Sequence, residues 1–457
     1  MLRAGSHVWV LSLLVLVALA GAAILAYRTS GGVNVLLITV DTLRADHLGA
    51  YGYPRNTSPN LDAFAKESLL FLNAFSQSSE TNPSLSSLMT AYLPTETKVL
   101  NNRFALQDGA VTLAELLRAR GYRTGAVVSN FSLRHGSGFE QGFEDYDDKV
   151  TDRHQTEWEG LERFAPGTTK AALTWLEANG GAPFFLWVHY MDPHYPYRPP
   201  HPYDTMFADA PPDKDQWLPF NEERTGLGGI HPAAQLDDRH ELQFYISQYD
   251  GEIRFFDQYL GELLQTMRAK GLLKNTLVIL GADHGEGMGE HNYYFAHHEF
   301  LYQSLIHVPL LLRFPDQRLG GQSMSYPVAN TDIVPTVLET LGMEVPKTMR
   351  GRNLLSPGDR DIYATVSYRG KKSALIAEGK KLIQDADHTQ LYDLVRDASE
   401  QRNLAEMDPD GDFTIGAKLK QRLAELEGED RLGLGVPGEW NIDEGSTRKL
   451  KALGYVQ

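Results

Sequence analysis

Four short runs constrain the fold of this chain more than any other feature. Asn34-Val35-Leu36-Leu37-Ile38-Thr39-Val40 is almost wholly apolar and rich in β-branched residues, and Thr124 to Ser129, Phe184 to Val188 and Thr276 to Leu280 share its character. Runs of this kind read as strands buried on both faces. Helical patterns lie between them, such as Thr112-Leu113-Ala114-Glu115-Leu116-Leu117-Arg118, which ends at Gly121. Strands alternating with helices predict an α/β fold with a large, mainly parallel sheet flanked by helices. Each run is followed closely by a polar residue: Asp41, Asn130, His189 and Asp283. Ligands of open α/β sheets bind beyond the carboxyl ends of the strands, so these positions mark the candidate site.

A chain of 457 residues can hold one large α/β domain and a smaller lobe. Residues 1–32 read as a signal-anchor or transmembrane segment and linker. From Val8 to Tyr27 there is no charged residue, and about 20 apolar residues span a bilayer as a helix. The expectation is a single-pass anchor in the cell membrane with an exported catalytic domain. Ala18-Leu19-Ala20 offers a cleavage site, which keeps open a periplasmic or secreted protein. Residues 33–346 read as the catalytic domain. Within them, residues 238–270 form a long helical region, preceded from about Pro202 by an irregular excursion that includes 211–215 and 226–229. Residues 347–457 read as a small antiparallel lobe built from Ile362 to Tyr368, Ser373 to Ala377, Lys381 to Asp385 and Gln390 to Leu394. Glu378-Gly379-Lys380 reads as a hairpin turn, and a helix near Ile415 to Glu427 closes the lobe.

The formal charge of −16, from 43 basic and 59 acidic residues, argues against a nucleic-acid partner. With no cysteine, disulfides and thiolate metal sites are excluded. What remains is oxygen and imidazole chemistry. Asp41 ends the first strand, and Asp283-His284-Gly285-Glu286 follows the fourth. Carboxylates and an imidazole converging at strand ends point to a divalent metal.

The stretch Glu80-Thr81-Asn82-Pro83-Ser84-Leu85-Ser86-Ser87-Leu88-Met89-Thr90 resembles the signature of the sulfatase family, within the alkaline phosphatase superfamily. That signature reads Cys (or Ser)-x-Pro-Ser-Arg-x-Ser-Leu-Leu-Thr, and its first residue becomes formylglycine. The resemblance runs from about Asn34 to the C-terminus. It implies an alkaline-phosphatase-like sandwich with a small C-terminal sheet, and a metal-dependent hydrolase of sulfate or phosphate esters. It also implies one metal held by Asp41, Thr81, Asp283 and His284, with Thr81 the nucleophile. Phe184 to Tyr197 matches a family stretch whose histidine after proline contacts the transferred group. That match makes His194 catalytic and leaves His189 structural. His297-His298-Glu299-Phe300-Leu301-Tyr302 resembles a His-Gly-x-x-Leu-Tyr element and makes His297 the second acid–base candidate.

Three departures qualify the resemblance. Thr81 stands at the formylglycine position, and its β-carbon already carries a methyl, so no formylglycine is expected. Thr42 replaces the second aspartate of the usual pair, and Leu85 replaces an arginine. Fewer carboxylates and more imidazole favour Mn²⁺ or Zn²⁺, with Ca²⁺ and Mg²⁺ left open. A threonine ester must be attacked at the transferred atom, which sets phosphate esters ahead of sulfate esters. Two other readings stay open: a phospho-group transferase acting on envelope lipids or glycans, and a catalytically silent binding protein on this scaffold.

Overall fold

In the computed structural model, which describes residues 32–150, 162–208, 216–223, 225–407, 414–440, 444–445 and 447–448, the run Asn34–Val40 forms β1. Every side chain of β1 is buried. Strand neighbours cover both of its edges, and burial of each Val, Leu or Ile contributes about 1.5–3 kcal/mol. The remaining strands of the large sheet are β2 (Leu69–Phe75), β4 (Arg123–Val128), β5 (Asp145–Asp147), β6 (Phe184–Tyr190), β7 (Thr276–Ala282), β8 (His307–Arg313), β9 (Ser323–Met324) and β10 (Val328–Ala329). A separate two-residue strand, β3 (Phe104–Ala105), pairs with Gly438–Glu439. The sheet order is β10-β2-β8-β7-β1-β6-β4-β5, with β9 also on β2. All pairings in it are parallel except those of β8, which runs antiparallel to both β2 and β7.

The register positions the site. Val40 lies level with Tyr190 on one side and with Ala282 on the other. The next residues of β1 and β7, Asp41 and Asp283, therefore emerge side by side at the carboxyl edge. Helices α1 (Thr81–Thr90), α2 (Leu113–Arg118), α3 (Ala165–Asn179), α4 (Leu242–Ala269) and α5 (Ile333–Thr340) flank the sheet. Packing of α3 on β4 is close: a Cβ on Gly125 would lie 2.2 Å from the Trp175 ring. The long helical region expected over 238–270 is α4, which buries Tyr245, Tyr249, Ile253, Phe256, Leu260 and Leu264.

Beyond the large sheet, β11 (Ile362–Val366), β12 (Lys372–Ala377), β13 (Lys380–Gln384) and β14 (Thr389–Asp393) form an antiparallel meander. Glu378 and Gly379 both take positive φ, 54° and 71°, the backbone of a tight two-residue hairpin turn. One face of the meander packs Tyr363, Leu375 and Leu391 against Leu419 and Leu423 of α6 (Thr414–Gly428). The other packs Ile362, Ile376 and Ile383 against Phe75, Tyr293 and Leu305. The segment from Val8 to Tyr27 and residues 211–215 lie outside the described residues. Among the described residues no helix is long and apolar enough to cross a membrane.

Candidate active site

Asp41 is fully buried, and its N–H donates to the Tyr190 carbonyl (2.9 Å), tying it to the end of β6. Its Oδ2 accepts from Asn130 Nδ2 (2.6 Å), and its Oδ1 lies 3.8 Å from His284 Nε2. Asp283 Oδ1 accepts from the backbone N–H groups of His284 (2.8 Å) and Thr42 (3.3 Å). Its Oδ2 lies 3.6 Å from His284 Nε2. Thr42 can make this contact because it adopts φ +54°, a left-handed conformation that a β-branched residue enters only under strain. The Tyr249 hydroxyl fixes that turn by donating to the Thr42 carbonyl (2.7 Å).

The chain passes just as closely on the other side of His284. A Cβ on Gly285 would sit 2.1 Å from the Ser304 carbonyl oxygen, and the Gly285 N–H donates to Leu305 (2.7 Å). His284 Nδ1 lies 3.0 Å from the Gly285 carbonyl. A carbonyl only accepts, so Nδ1 carries the proton and Nε2 turns its lone pair toward the carboxylates.

Thr81 is the first residue of α1, and Glu80, not Thr81, occupies the cap position. All ten residues of α1 are buried. Ser84 Oγ donates to the Asp283 carbonyl (2.5 Å), bolting the helix to the end of β7. This places Thr81 Oγ1 3.4 Å from His284 Nε2. His194 and His297 stand close by, with ring centroids 5.0 Å apart and His297 4.5 Å from His284. Thr81, Asp41, Asp283, His284, His194 and His297 are thus brought to one place.

The charges there are unbalanced. Burial pushes Asp41 up, but the neighbouring imidazoles of His189, His194 and His284 outweigh it and hold Asp41 at about 2. Burial and the Asp41 charge raise Asp283 well above the usual carboxylate range. Like charges this close disfavour ionising both carboxylates together. Burial lowers His194 to about 4, against the opposing pull of Asp41. The His194 Nδ1–H is held by the Tyr195 carbonyl (2.7 Å), so Nε2 is its basic nitrogen. Burial also lowers His297, with the neighbouring His298, His284 and His194 adding to the effect.

The donor set fits a divalent cation. Asp41 Oδ1 and Asp283 Oδ2 are buried without a hydrogen-bond partner among the described residues. Both lie with Thr81 Oγ1 3.4–3.8 Å from His284 Nε2. Ligands bound at about 2.1 Å to one ion are up to about 4.2 Å apart.

Three neighbours carry no catalytic or metal role in the sequence reading. His189 lies at the end of its strand at the site, and its nitrogen groups with oxygens of Asp41 and Asp283, these atoms lying within 4.8 Å of one another. His231 comes from the irregular excursion and reaches Tyr195 (centroids 5.7 Å). Glu80 is fully buried beside Thr81. No periodicity marks any of the three.

The family model described as Sulfatase matches residues 33–343, and that for the C-terminal part of N-sulphoglucosamine sulphohydrolase matches 289–429. The chain belongs to the sulfatase family. Sulfatase-family enzymes use a metal ion, and the Asp41, His189 and Asp283 cluster offers a place for one. This sulfatase-family chain is a hydrolase acting on sulfate or phosphate ester bonds. It is 27% identical over 443 residues to an ulvan-active sulfatase of Formosa agariphila, covering 87% of this chain and 82% of that protein. It is 28% identical over 394 residues to the multifunctional alkaline phosphatase superfamily protein PehA of Trinickia caryophylli, covering 70% and 76%. The phosphonate monoester hydrolase of Agrobacterium radiobacter shares the alkaline-phosphatase-like fold. Its TM-score is 0.70 at 22% identity, over 86% of this chain and 95% of that one.

Proposed function

We propose that this chain cleaves phosphate or sulfate esters in a metal-dependent reaction in which Thr81, at the family's formylglycine position, is the nucleophile. The observation that carries this reading is the placement of Thr81 Oγ1. It opens a buried helix, 3.4 Å from a His284 nitrogen that also faces Asp41 and Asp283. The N-terminal end of α1 favours an anionic group there. A divalent cation held by Asp41, Asp283, His284 and Thr81 would supply positive charge for the non-bridging oxygens of the ester.

Thr81 Oγ forms a bond to phosphorus or sulfur as the bond to the leaving ester oxygen breaks. The Thr81 hydroxyl loses a proton and the leaving oxygen gains one. His194 and His297, held neutral by burial, would take up and return that proton. Water then attacks the transferred atom, one of its protons passing to Thr81 Oγ as the bond to that oxygen breaks, which frees the group and restores the threonine hydroxyl. A formylglycine hydrate can instead expel sulfate by breaking its own C–O bond, a route closed to threonine, and this difference favours phosphate esters. Names among the relatives span both chemistries, from an ulvan-active sulfatase to a phosphonate monoester hydrolase. The test is turnover by the purified protein on aryl phosphates, phosphodiesters, phosphonate monoesters and aryl sulfates with added Mn²⁺ or Zn²⁺. Phosphate-type esters are expected to be turned over fastest. Cleavage of sulfates alone, or of none, overturns the proposal.

A further inference from the structure

Asp41 has a second imidazole, beside its other carboxylate oxygen. His189, the penultimate residue of β6, is fully buried, with Nε2 3.5 Å from Asp41 Oδ2. That is long for a hydrogen bond, and Asp41 Oδ2 already accepts from Asn130 at 2.6 Å. His189 Nε2 is left buried without a hydrogen-bond partner among the described residues. The other ring nitrogen is held: His189 Nδ1 lies 2.9 Å from Thr39 Oγ1, which accepts from Trp187 Nε1 at 2.8 Å. Thr39 Oγ1 can also accept a proton from Nδ1, leaving Nε2 as the lone-pair nitrogen. A ring N–H fixed by a protein acceptor, with the opposite nitrogen facing carboxylates, is the arrangement of metal-bound histidines. Nearby, Thr42 offers no carboxylate, and its Oγ1 is likewise buried without a partner.

We propose that His189 is a direct ligand of the cation, completing a set of two carboxylates (Asp41, Asp283) and two imidazoles (His189, His284) beside Thr81. This rests on the reading of a metal site given above. Two nitrogens and few oxygens select Zn²⁺ or Mn²⁺ over Ca²⁺, which requires six to eight oxygens. Two carboxylates also balance one divalent cation. The site is thereby left neutral, and an anionic ester enters without the arginine that Leu85 replaces.

The experiment titrates the chelator-stripped full-length protein with Co²⁺, Zn²⁺, Mn²⁺ and Ca²⁺. It compares wild type with Asp283→Ala, His189→Ala and His189→Gln, after thermal unfolding has shown each metal-free variant to be folded. Affinity, the visible Co²⁺ spectrum and the ¹⁴N couplings of bound Mn²⁺ are read, none of which requires turnover. Asp283→Ala is expected to lose the metal. Both His189 variants should bind Co²⁺ and Zn²⁺ at least ~10-fold more weakly, with an altered Co²⁺ spectrum, one class of nitrogen coupling lost and Ca²⁺ affinity little changed. If His189 merely steadied Asp41 through an N–H, the glutamine would restore wild-type affinity and spectrum, and the proposal falls while the metal site stands. If Asp283→Ala binds metal like wild type, the metal reading fails and the proposal with it.

Discussion

Glu80 immediately precedes Thr81 at the start of α1, and its carboxyl makes no capping hydrogen bond there. Both oxygens are buried without a close hydrogen-bond partner among the described residues. Burial, only partly offset by the backbone N–H groups of Asn102, Ser367 and Tyr368, pushes the group from 4.5 up to about 8. At neutral pH it is therefore an uncharged acid, and Glu80→Gln replaces it with a neutral group of the same shape. The sign follows from proton binding. The folded state keeps the Glu80 proton at pH values where the unfolded chain has lost it, so this group's contribution is fully present below pH 4.5 and is lost as pH rises through 8. The full shift corresponds to about 5 kcal/mol, and about 3.5 kcal/mol of it falls between pH 5 and pH 8. Glutamine does not titrate. The stability of Glu80→Gln relative to wild type, from urea unfolding in EDTA, should therefore rise by about 3.5 kcal/mol over that interval and level off above pH 8. A difference flat to within ~0.5 kcal/mol across the same range would refute the assignment of a buried, proton-retaining carboxyl beside Thr81.

At Thr81, alanine should leave the fold intact and lower kcat by on the order of 10³ or more, whereas Thr81→Ser should keep partial activity because the oxygen survives. Near wild-type turnover by Thr81→Ala would remove threonine from the mechanism. His194→Ala should slow esters with basic leaving groups by about 10²–10⁴ and activated aryl esters far less; equal losses across a leaving-group series would exclude proton transfer through His194. Gly285→Ala drives a methyl to 2.1 Å from the Ser304 carbonyl, and overpacking of this kind costs about 1–3 kcal/mol. Its Tm and metal affinity should both fall, and an unchanged melting curve would contradict the close approach behind His284.

Read alone, the sequence determined β1, β4, β6 and β7 to within a residue or two. A strand buried on both faces must be apolar along its length and must stop where a polar side chain is needed. Asp41 and Asp283 were legible for the same reason, as the residues at which burial gives way to chemistry. The four strands of the small sheet and its hairpin at Glu378-Gly379 were legible through turn residues and short β-rich runs. By contrast, Leu69–Phe75 and His307–Arg313 went unread as strands, because Asn73 and Pro309 interrupt their patterns. The antiparallel direction of β8 is a matter of which edge the chain returns from, and no local pattern encodes it. The same limit applies at the site. Whether His189 braces a strand end or faces the carboxylates depends on the level pairing of Thr39 with His189 and of Val40 with Ala282. Likewise, whether Glu80 is solvated or buried depends on Ser367 and Tyr368, nearly three hundred residues away. Apolar periodicity records which side chains leave water, and only the packed chain decides which polar groups then meet.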